Sequence, residues 1–198
     1  MRFALPVAGL LAVILGAAGV LAVDLRIARA DDGATWALLK KPGHIILLRH
    51  ANAPESPPDA DKIDFKNCAT QRPLDEAGRA QAKRVGDAFR QHGINAVRIY
   101  SSQYCRADGY PAANALGPVK ELPALNQVFL ADLSGMKEAG EKERAFIKTV
   151  PARQPTMLVS HVTNIQAIAG VSLSSGEFAV VHMDGSGGVA VDGRIKVP

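Results

Sequence analysis

The stretch Ile45-Ile46-Leu47-Leu48-Arg49-His50-Ala51 predicts a buried β-strand that ends in a cation and an imidazole. Four consecutive aliphatic residues, two of them β-branched, are typical of a strand covered on both faces, as in a parallel sheet. In open α/β sheets, ligands bind in the crevice beyond the carboxyl ends of such strands. Arg49 offers a planar fork of donors suited to phosphate, and a neutral His50 offers a nucleophilic nitrogen. Taken alone, the pair is also compatible with two polar surface residues.

Alternating strands and helices follow this first strand. Apolar residues at helical spacing predict helices at 74–92 and 138–149, and apolar runs predict strands at 96–100, 156–161, 178–183 and 189–197, with an irregular segment at 123–135. Short βα alternation with right-handed crossovers gives an α/β fold, a three-layer α/β/α sandwich with a mostly parallel central sheet. The late strands are candidates for an antiparallel edge.

Length and charge limit the functional classes. The chain has 198 residues, enough for one domain with a sizeable core, and a formal net charge of +4. Half of that excess lies in residues 1–30, where Arg2, Arg26 and Arg29 face a single Asp24. The remainder lacks the basic excess of a nucleic-acid binder, so no nucleic-acid partner is predicted.

Residues 1–30 are predicted to be a signal peptide or an N-terminal membrane anchor, ahead of one domain at 31–198. An uncharged apolar run at 3–23 follows a basic start, and Ala28-Arg29-Ala30 resembles a signal-peptidase site. The run is longer than a usual signal core of roughly 7–15 residues and is long enough to span a bilayer. Cleavage after Ala30 and an uncleaved anchor both remain open. Either alternative predicts a periplasmic or secreted domain.

Export changes the interpretation of the two cysteines. An exported pair favours one disulfide between Cys68 and Cys105, whereas two buried thiols are the alternative. Cys105 directly precedes Arg106, and Cys68 lies in the Pro- and Asp-rich loop after His50. A bridge between them would hold that loop beside the strand ends.

Three predicted strands end in side chains that suit phosphoryl transfer. Arg49-His50 ends the first, Ser101-Ser102 the second, with Arg106 four residues later, and His161 another. Arginines bind the non-bridging oxygens of a phosphoryl group, one imidazole can attack phosphorus, and the other can donate to the same oxygens. The remaining histidines fit structural roles and show no metal-ligand spacing, so neither a metal nor a cofactor is predicted.

The blocks Leu48-Arg49-His50-Ala51, Pro73-Leu74-Asp75-Glu76-Ala77-Gly78, Ser101-x-x-x-x-Arg106-Ala107 and Ser160-His161-x-x-Asn164 resemble the histidine phosphatase superfamily, which includes the phosphoglycerate mutases, acid phosphatases and phosphohistidine phosphatases. The resemblance implies a phosphoglycerate mutase-like fold and a phosphorylated nucleophile at His50. It further implies a phosphate pocket of Arg49, Arg106 and His161, with Asn52, Ser101 and Asn164 as further substrate-binding candidates. A narrower similarity to periplasmic members that dephosphorylate a lipopolysaccharide heptose adds an envelope glycan or lipid headgroup to phosphorylated small molecules as candidate partners.

Two departures from the family concern the proton donor. The mutase-like branch has a glutamate in a Leu-Asn-Glu pattern where this chain has Leu125-Asn126-Gln127, and the acid-phosphatase branch has an aspartate where this chain has Val162. Proton donation to the leaving group is commonly worth about 10²–10⁴ in rate. Hence the chain is expected either to cleave activated phosphoryl groups or to use another carboxylate, and the candidates are Glu55, Glu121 and Asp132.

The sequence therefore predicts an exported histidine phosphatase, a phosphoric ester hydrolase that works through phospho-His50. The alternative is a catalytically weak protein that binds phosphorylated ligands in a pocket without a general acid.

Overall fold

The computed structural model describes residues 32–55, 59–108 and 116–198, so the predicted signal or anchor at 1–30 lies outside the described residues. The described helices are α1 (32–38), α2 (Glu76–Gln91), α3 (Cys105–Asp108), α4 (Leu133–Ile147) and α5 (Val162–Ala169). The strands are β1 (His44–Arg49), β2 (Arg98–Ser101), β3 (Val119–Glu121), β4 (Thr156–Ser160), β5 (Glu177–Met183) and β6 (Val189–Lys196). Within these ranges, no helix has the length and apolar character needed to cross a membrane.

The strands form one six-stranded sheet in the order β3-β2-β4-β1-β5-β6. Strands β3, β2, β4 and β1 are parallel to one another, and β5 and β6 add an antiparallel edge. The predicted mostly parallel sheet is confirmed, as is the antiparallel position of the late strands.

Strand β1 lies at the centre of the sheet and is covered on both faces. Ile46 and Leu48 pack in one core with Phe89 of α2, while Ile45 and Leu47 belong to a second core with helices α4 and α5. Successive side chains of a strand point to opposite faces, so an unbroken aliphatic run fills both cores. The result is the predicted three-layer sandwich.

Local sequence determines where helix α2 begins and how closely it packs. Helix α2 begins after Asp75, whose carboxylate accepts from the Gly78 backbone N–H at 2.6 Å. Gly78 is needed there because a Cβ would lie only 2.0 Å from the Asn52 carbonyl oxygen, and so α2 approaches the segment after His50 closely.

The segment at 123–135 is less irregular than predicted. Helix α4 begins at Leu133, not at residue 138, because the Asp132 side chain accepts from the Gly135 N–H at 2.8 Å and caps it. Strand β3 and helix α5 were also not predicted from the sequence. Both are short, and β3 is mostly exposed, so neither has a clear apolar period.

Candidate active site

His50 follows β1 at the carboxyl edge of the sheet, and its backbone N–H donates to the Ser160 carbonyl at 3.0 Å. Its side chain is 5% exposed, and Nδ1 lies 2.7 Å from the carbonyl oxygen of Ala51. A carbonyl oxygen only accepts, so Nδ1 carries the ring proton. In the neutral ring, the lone pair available for attack is therefore on Nε2.

The surroundings of His50 keep the imidazole neutral. Burial lowers the pKa of His50 to about 3, against the hydrogen bond to Ala51, which raises it. The guanidinium groups of Arg106, Arg49 and Arg72 lower the pKa further because they disfavour a second cation. A neutral nucleophile is thus present throughout the physiological pH range.

His161 stands beside His50, and the centroids of the two rings are 5.2 Å apart. Its Nε2 lies 2.9 Å from Ser102 Oγ, and its buried Nδ1 has no hydrogen-bond partner among the described residues. Burial, followed by the neighbouring His50 and the arginines, lowers the pKa of His161 well below its ordinary value. The Ser102 hydroxyl has a second acceptor within reach, Asn126 Oδ1 at 3.1 Å, but that oxygen already accepts from the Gln103 backbone N–H at 2.8 Å. When Ser102 donates its single proton to Nε2, the ring proton is on Nδ1, where it can be donated to a ligand.

Two arginines complete the predicted pocket. The Arg106 side chain is fully buried, its Nη1 donates to Asp59 at 3.0 Å, and its Nη2 donates to Gln127. The Arg49 Nη1 donates to the Leu173 carbonyl at 2.8 Å. Both guanidinium groups are thereby fixed in place by groups of the protein.

Three unsatisfied donors belong to this cluster. The Nε atoms of Arg49 and Arg106 and the Nδ1 atom of His161 are all buried and lack a partner within the described part of the chain. A buried polar group without a partner costs free energy, and such atoms are rare in folded proteins. Around a neutral imidazole, these donors suit the oxygens of a phosphoryl group.

Arg72 and Asp59 belong to the site and were missed from the sequence. The Arg72 charge acts on both His50 and His161, and Asp59 accepts from the Arg72 backbone N–H at 2.7 Å as well as from Arg106. Arg72 could have been noticed because it directly precedes the Pro73-Leu74-Asp75 block. Asp59 lies in a loop with several acidic residues, and nothing in the sequence distinguishes it.

Cys68 and Cys105 form the predicted disulfide, and their Cα atoms are 5.8 Å apart. It joins the loop that contains Asp59 and Arg72 to the start of α3, one residue before Arg106. Gln71 strengthens the connection, because its Oε1 accepts from the Cys105 backbone N–H at 2.9 Å. The disulfide therefore holds two charged groups of the site against Arg106.

The additional substrate-binding candidates differ in their contacts. Asn52 is exposed, and its backbone N–H donates to Gln81. Ser101 Oγ donates to the Ser102 carbonyl, so the hydroxyl that contacts His161 belongs to Ser102 instead. Asn164 is fully buried and bonds to the backbone of 126 and 128 and to Glu143, so its side chain supports the segment at 126–128, and its predicted contact with substrate stays a prediction.

None of the three proposed proton donors contacts the two histidines or the two arginines. Glu55 is exposed, Asp132 caps α4, and Glu121 accepts from the Gln103 side chain at 3.0 Å. The carboxylate that does reach the pocket is Asp59. No group of three metal-ligating side chains occurs among the described residues.

The two positions that depart from the family can also be located. Gln127, in place of the mutase-like glutamate, contacts the Arg106 guanidinium, so this position does face the pocket. Val162 is the first residue of α5, directly after His161. A carboxamide and an isopropyl group therefore occupy the places where the family's branches have carboxylates.

Residues 45–155 match the family model of the histidine phosphatase superfamily, branch 1. The chain belongs to this superfamily. The match confirms the family and the enzyme class, a phosphatase, that were predicted from the sequence. No curated protein matches the chain, so the narrower similarity to heptose phosphatases stays a prediction.

Solved structures support the fold. The protein histidine phosphatase SixA, complexed with tungstate, is 17% identical, with 77% of this chain and 96% of that one covered at a TM-score of 0.55. A phosphoserine phosphatase from Entamoeba histolytica, in complex with 3-phosphoglyceric acid, is 14% identical, with 77% and 96% covered at a TM-score of 0.56. At these identities the similarity establishes the phosphoglycerate mutase-like fold of this phosphatase.

Proposed function

We propose that this superfamily member is an exported phosphatase that cleaves activated phosphoryl groups through a phosphohistidine at His50. The observation that carries the proposal is a set of buried donors on Arg49, Arg106 and His161, beside a neutral imidazole, that have no partner in the described ranges of the chain. Its ligands are phosphorylated small molecules, or phosphorylated glycan or lipid headgroups of the envelope.

The mechanism follows from the tautomer of His50. The Nε2 lone pair attacks phosphorus, the bond from phosphorus to the leaving-group oxygen or nitrogen breaks, and the leaving group takes that electron pair. The guanidinium groups and His161 Nδ1 bind the oxygens whose charge develops in the transition state. Water then attacks phosphorus, the N–P bond breaks back to neutral His50, and inorganic phosphate and a proton are released.

The surroundings of the leaving group favour substrates that need little proton donation. Gln127 cannot supply a proton as a carboxylic acid does, and Asp59 accepts hydrogen bonds from Arg106 and Arg72. A sugar alkoxide is a poor leaving group without an acid. The leaving groups of phosphohistidine, acyl phosphates and pyrophosphates depart more easily. Activated phosphoryl groups are therefore the proposed substrate class.

Rapid-quench trapping tests the nucleophile. A substrate labelled with ³²P is expected to leave an acid-labile, alkali-stable phosphoenzyme in the wild-type protein and none in His50→Ala. The matched control is His182→Ala, a histidine on β5 outside the site, which should trap the label normally. Binding of inorganic phosphate without any phosphoenzyme or turnover would contradict the proposal and favour the alternative, a catalytically weak binding protein.

A series of aryl phosphates tests the substrate class. The logarithm of kcat/KM is expected to fall steeply as the leaving-group pKa rises, because charge builds on an oxygen that receives no proton. A flat dependence would show that a general acid acts, and Asp59→Asn would then be the first variant to examine.

Export rests on the apolar run at 3–23 and on the oxidising compartment that a structural disulfide favours. Residues 1–35 fused to a reporter enzyme that is active only outside the cytoplasm should confer activity. Mass spectrometry of the purified full-length product separates cleavage after Ala30 from a retained anchor. A reporter that stays inactive would contradict export.

A further inference from the structure

A cleft of about 560 Å³ lies next to the candidate active site and takes no part in the mechanism above. It is formed by residues 62–66 of the disulfide-tethered loop on one side and by Gln103 and Glu121 on the other. Its volume falls within the range of small-molecule sites, roughly 300–1,000 Å³.

The cleft opens at the same edge of the sheet as the catalytic side chains. Glu121 is the last residue of β3, and Gln103 directly follows Ser102, whose hydroxyl contacts His161. The carboxyl ends of the parallel strands β1, β2, β3 and β4 meet at one edge, so this cleft and His50 lie along the same edge of the sheet.

Aromatic contacts connect the cleft to the phosphate pocket. The Phe65 ring packs edge-on against Tyr104, with ring centroids 5.4 Å apart. Tyr104 in turn packs against His161, with ring centroids 5.0 Å apart, and its ring centroid lies 4.4 Å from Arg106 Cζ. The wall of the cleft is thus separated from the catalytic groups by a single aromatic side chain.

The charges in the cleft are not equally engaged. The Glu121 carboxylate accepts from the Gln103 side chain at 3.0 Å, and Asp64 accepts from the Lys66 backbone N–H at 2.9 Å. The ammonium groups of Lys62 and Lys66, in contrast, form no ion pair with any residue in the described ranges. The lining has two charges of each sign, but its two carboxylates already accept hydrogen bonds within the protein, and the two ammonium groups are the charged donors left for a ligand.

From this arrangement we propose that the cleft is a leaving-group subsite for small phosphorylated molecules with a second anionic group. Lys62 and Lys66 bind the second carboxylate or phosphate, and Phe65 packs against the apolar or planar part between the two anions. The inference rests on the proposed function, since it assigns the part of the substrate that departs from phospho-His50.

Two unreactive probes that differ in one charge test the subsite. The first is an aryl difluoromethylphosphonate with a 2-carboxyethyl arm in the para position. In the second, a neutral carboxamide replaces the carboxylate of the arm. Both have the same shape and the same phosphonate. The wild-type protein is expected to bind the carboxylate roughly 3- to 10-fold more tightly than the carboxamide at low salt, the range of two partly exposed ion pairs.

The Lys62→Gln, Lys66→Gln double variant should bring this ratio of dissociation constants close to 1. Lys196→Gln, an exposed lysine on β6 at the opposite edge of the sheet, is the matched control and should keep the wild-type ratio. A wild-type ratio near 1, or an unchanged ratio in the double variant, would overturn the subsite.

This readout is independent of turnover. Phosphoenzyme trapping decides whether His50 is the nucleophile, whereas the ratio of dissociation constants decides whether the cleft binds a second anion. A phosphoenzyme together with a wild-type ratio near 1 leaves the proposed function standing and rejects the subsite. A large ratio that depends on the two lysines, without a phosphoenzyme, supports the subsite in a binding protein.

Discussion

Ser102 Oγ lies 2.9 Å from His161 Nε2, and the same hydroxyl accepts from the Tyr104 backbone N–H at 3.2 Å. Both groups are buried at the carboxyl edge of the sheet. The ring nitrogen that faces Ser102 cannot also face a ligand, so this contact directs Nδ1 of His161 toward the substrate. Ser102 is therefore a positioning residue for His161.

We expect Ser102→Ala to lower kcat/KM by roughly 5- to 150-fold, because one buried ring nitrogen loses its partner at a cost of about 1–3 kcal/mol. Ser101→Ala is the matched control, since among the described residues that hydroxyl bonds only to the Ser102 carbonyl. The measurement is steady-state kinetics with an aryl phosphate, together with the pH profile of kcat. Equal losses in the two variants would show that Ser102 acts only through local stability.

Gln127 occupies the position where the mutase-like resemblance expects a glutamate. Its Oε1 accepts from Arg106 Nη2, and Asp59 already accepts from Nη1 of the same guanidinium. A glutamate at 127 would thus place a second carboxylate on Arg106, and Arg106 would favour its ionised form.

We expect Gln127→Glu to raise KM for phosphate esters about 10-fold without raising kcat for phenyl phosphate, since a carboxylate on Arg106 competes with the substrate and retains no proton to donate. Kinetics with phenyl and 4-nitrophenyl phosphate distinguish the effects, and Gln127→Asn is the uncharged control. A rise in kcat confined to the poorer leaving group would instead show that the glutamate restores a general acid.

The disulfide between Cys68 and Cys105 closes a loop with a sequence separation of 37 residues. In the chain-entropy model, a loop of that length stabilises the folded state by roughly 3–4 kcal/mol. Cys68→Ser, Cys105→Ser is therefore expected to lower the free energy of unfolding by about that amount. It should also reduce kcat/KM, because Asp59 and Arg72 are held against Arg106 through this loop.

Chemical denaturation and kinetics with and without dithiothreitol check the expectation. The reductant should lower the stability and activity of the wild-type protein toward those of the double variant and leave the double variant unchanged. Loss of stability without loss of activity would mean that Arg106 keeps its position without the tether.

The sequence was sufficient for those features of the site that lie directly on a strand end. Arg49, His50 and His161 each follow a buried apolar run, and a parallel sheet brings such positions to one edge. Arg106 lies on the short helix α3, soon after the end of β2, so its spacing from Ser101 also predicted that it lies near this edge.

The remaining parts of the site depend on contacts between distant loops. Asp59 reaches Arg106 across 47 positions, and no local pattern distinguishes it from the other acidic residues of its loop. Asn164 matched a family block, yet its amide is used to hold residues 126 and 128. Hydrogen-bond partners of this kind are decided by tertiary packing and cannot be read from periodicity.

Glu143 is a buried carboxyl group that supports the site from behind. It is 1% exposed on α4, and its Oε1 accepts from the Asn164 side chain at 3.0 Å, while Asn164 holds the segment that contains Gln127. Burial raises the pKa of Glu143 to about 8, against the lowering effects of Asn164 and the neighbouring Arg144.

A carboxyl group with a raised pKa binds its proton more tightly in the folded state than in the unfolded state. Its contribution to stability is therefore fully present below the ordinary glutamate pKa of about 4.3 and is lost as the pH rises through 8.

Glu143→Gln keeps the acceptor for Asn164 and removes the titration. We expect this variant to gain on the order of 4 kcal/mol relative to wild type between pH 5 and pH 9, measured by urea unfolding at both values. Glu138→Gln changes an exposed residue on the same helix and is the control, which should show no such pH-dependent gain. An equal gain in the free energy of unfolding for both variants would assign the effect to the net charge of α4 and not to the buried carboxyl group.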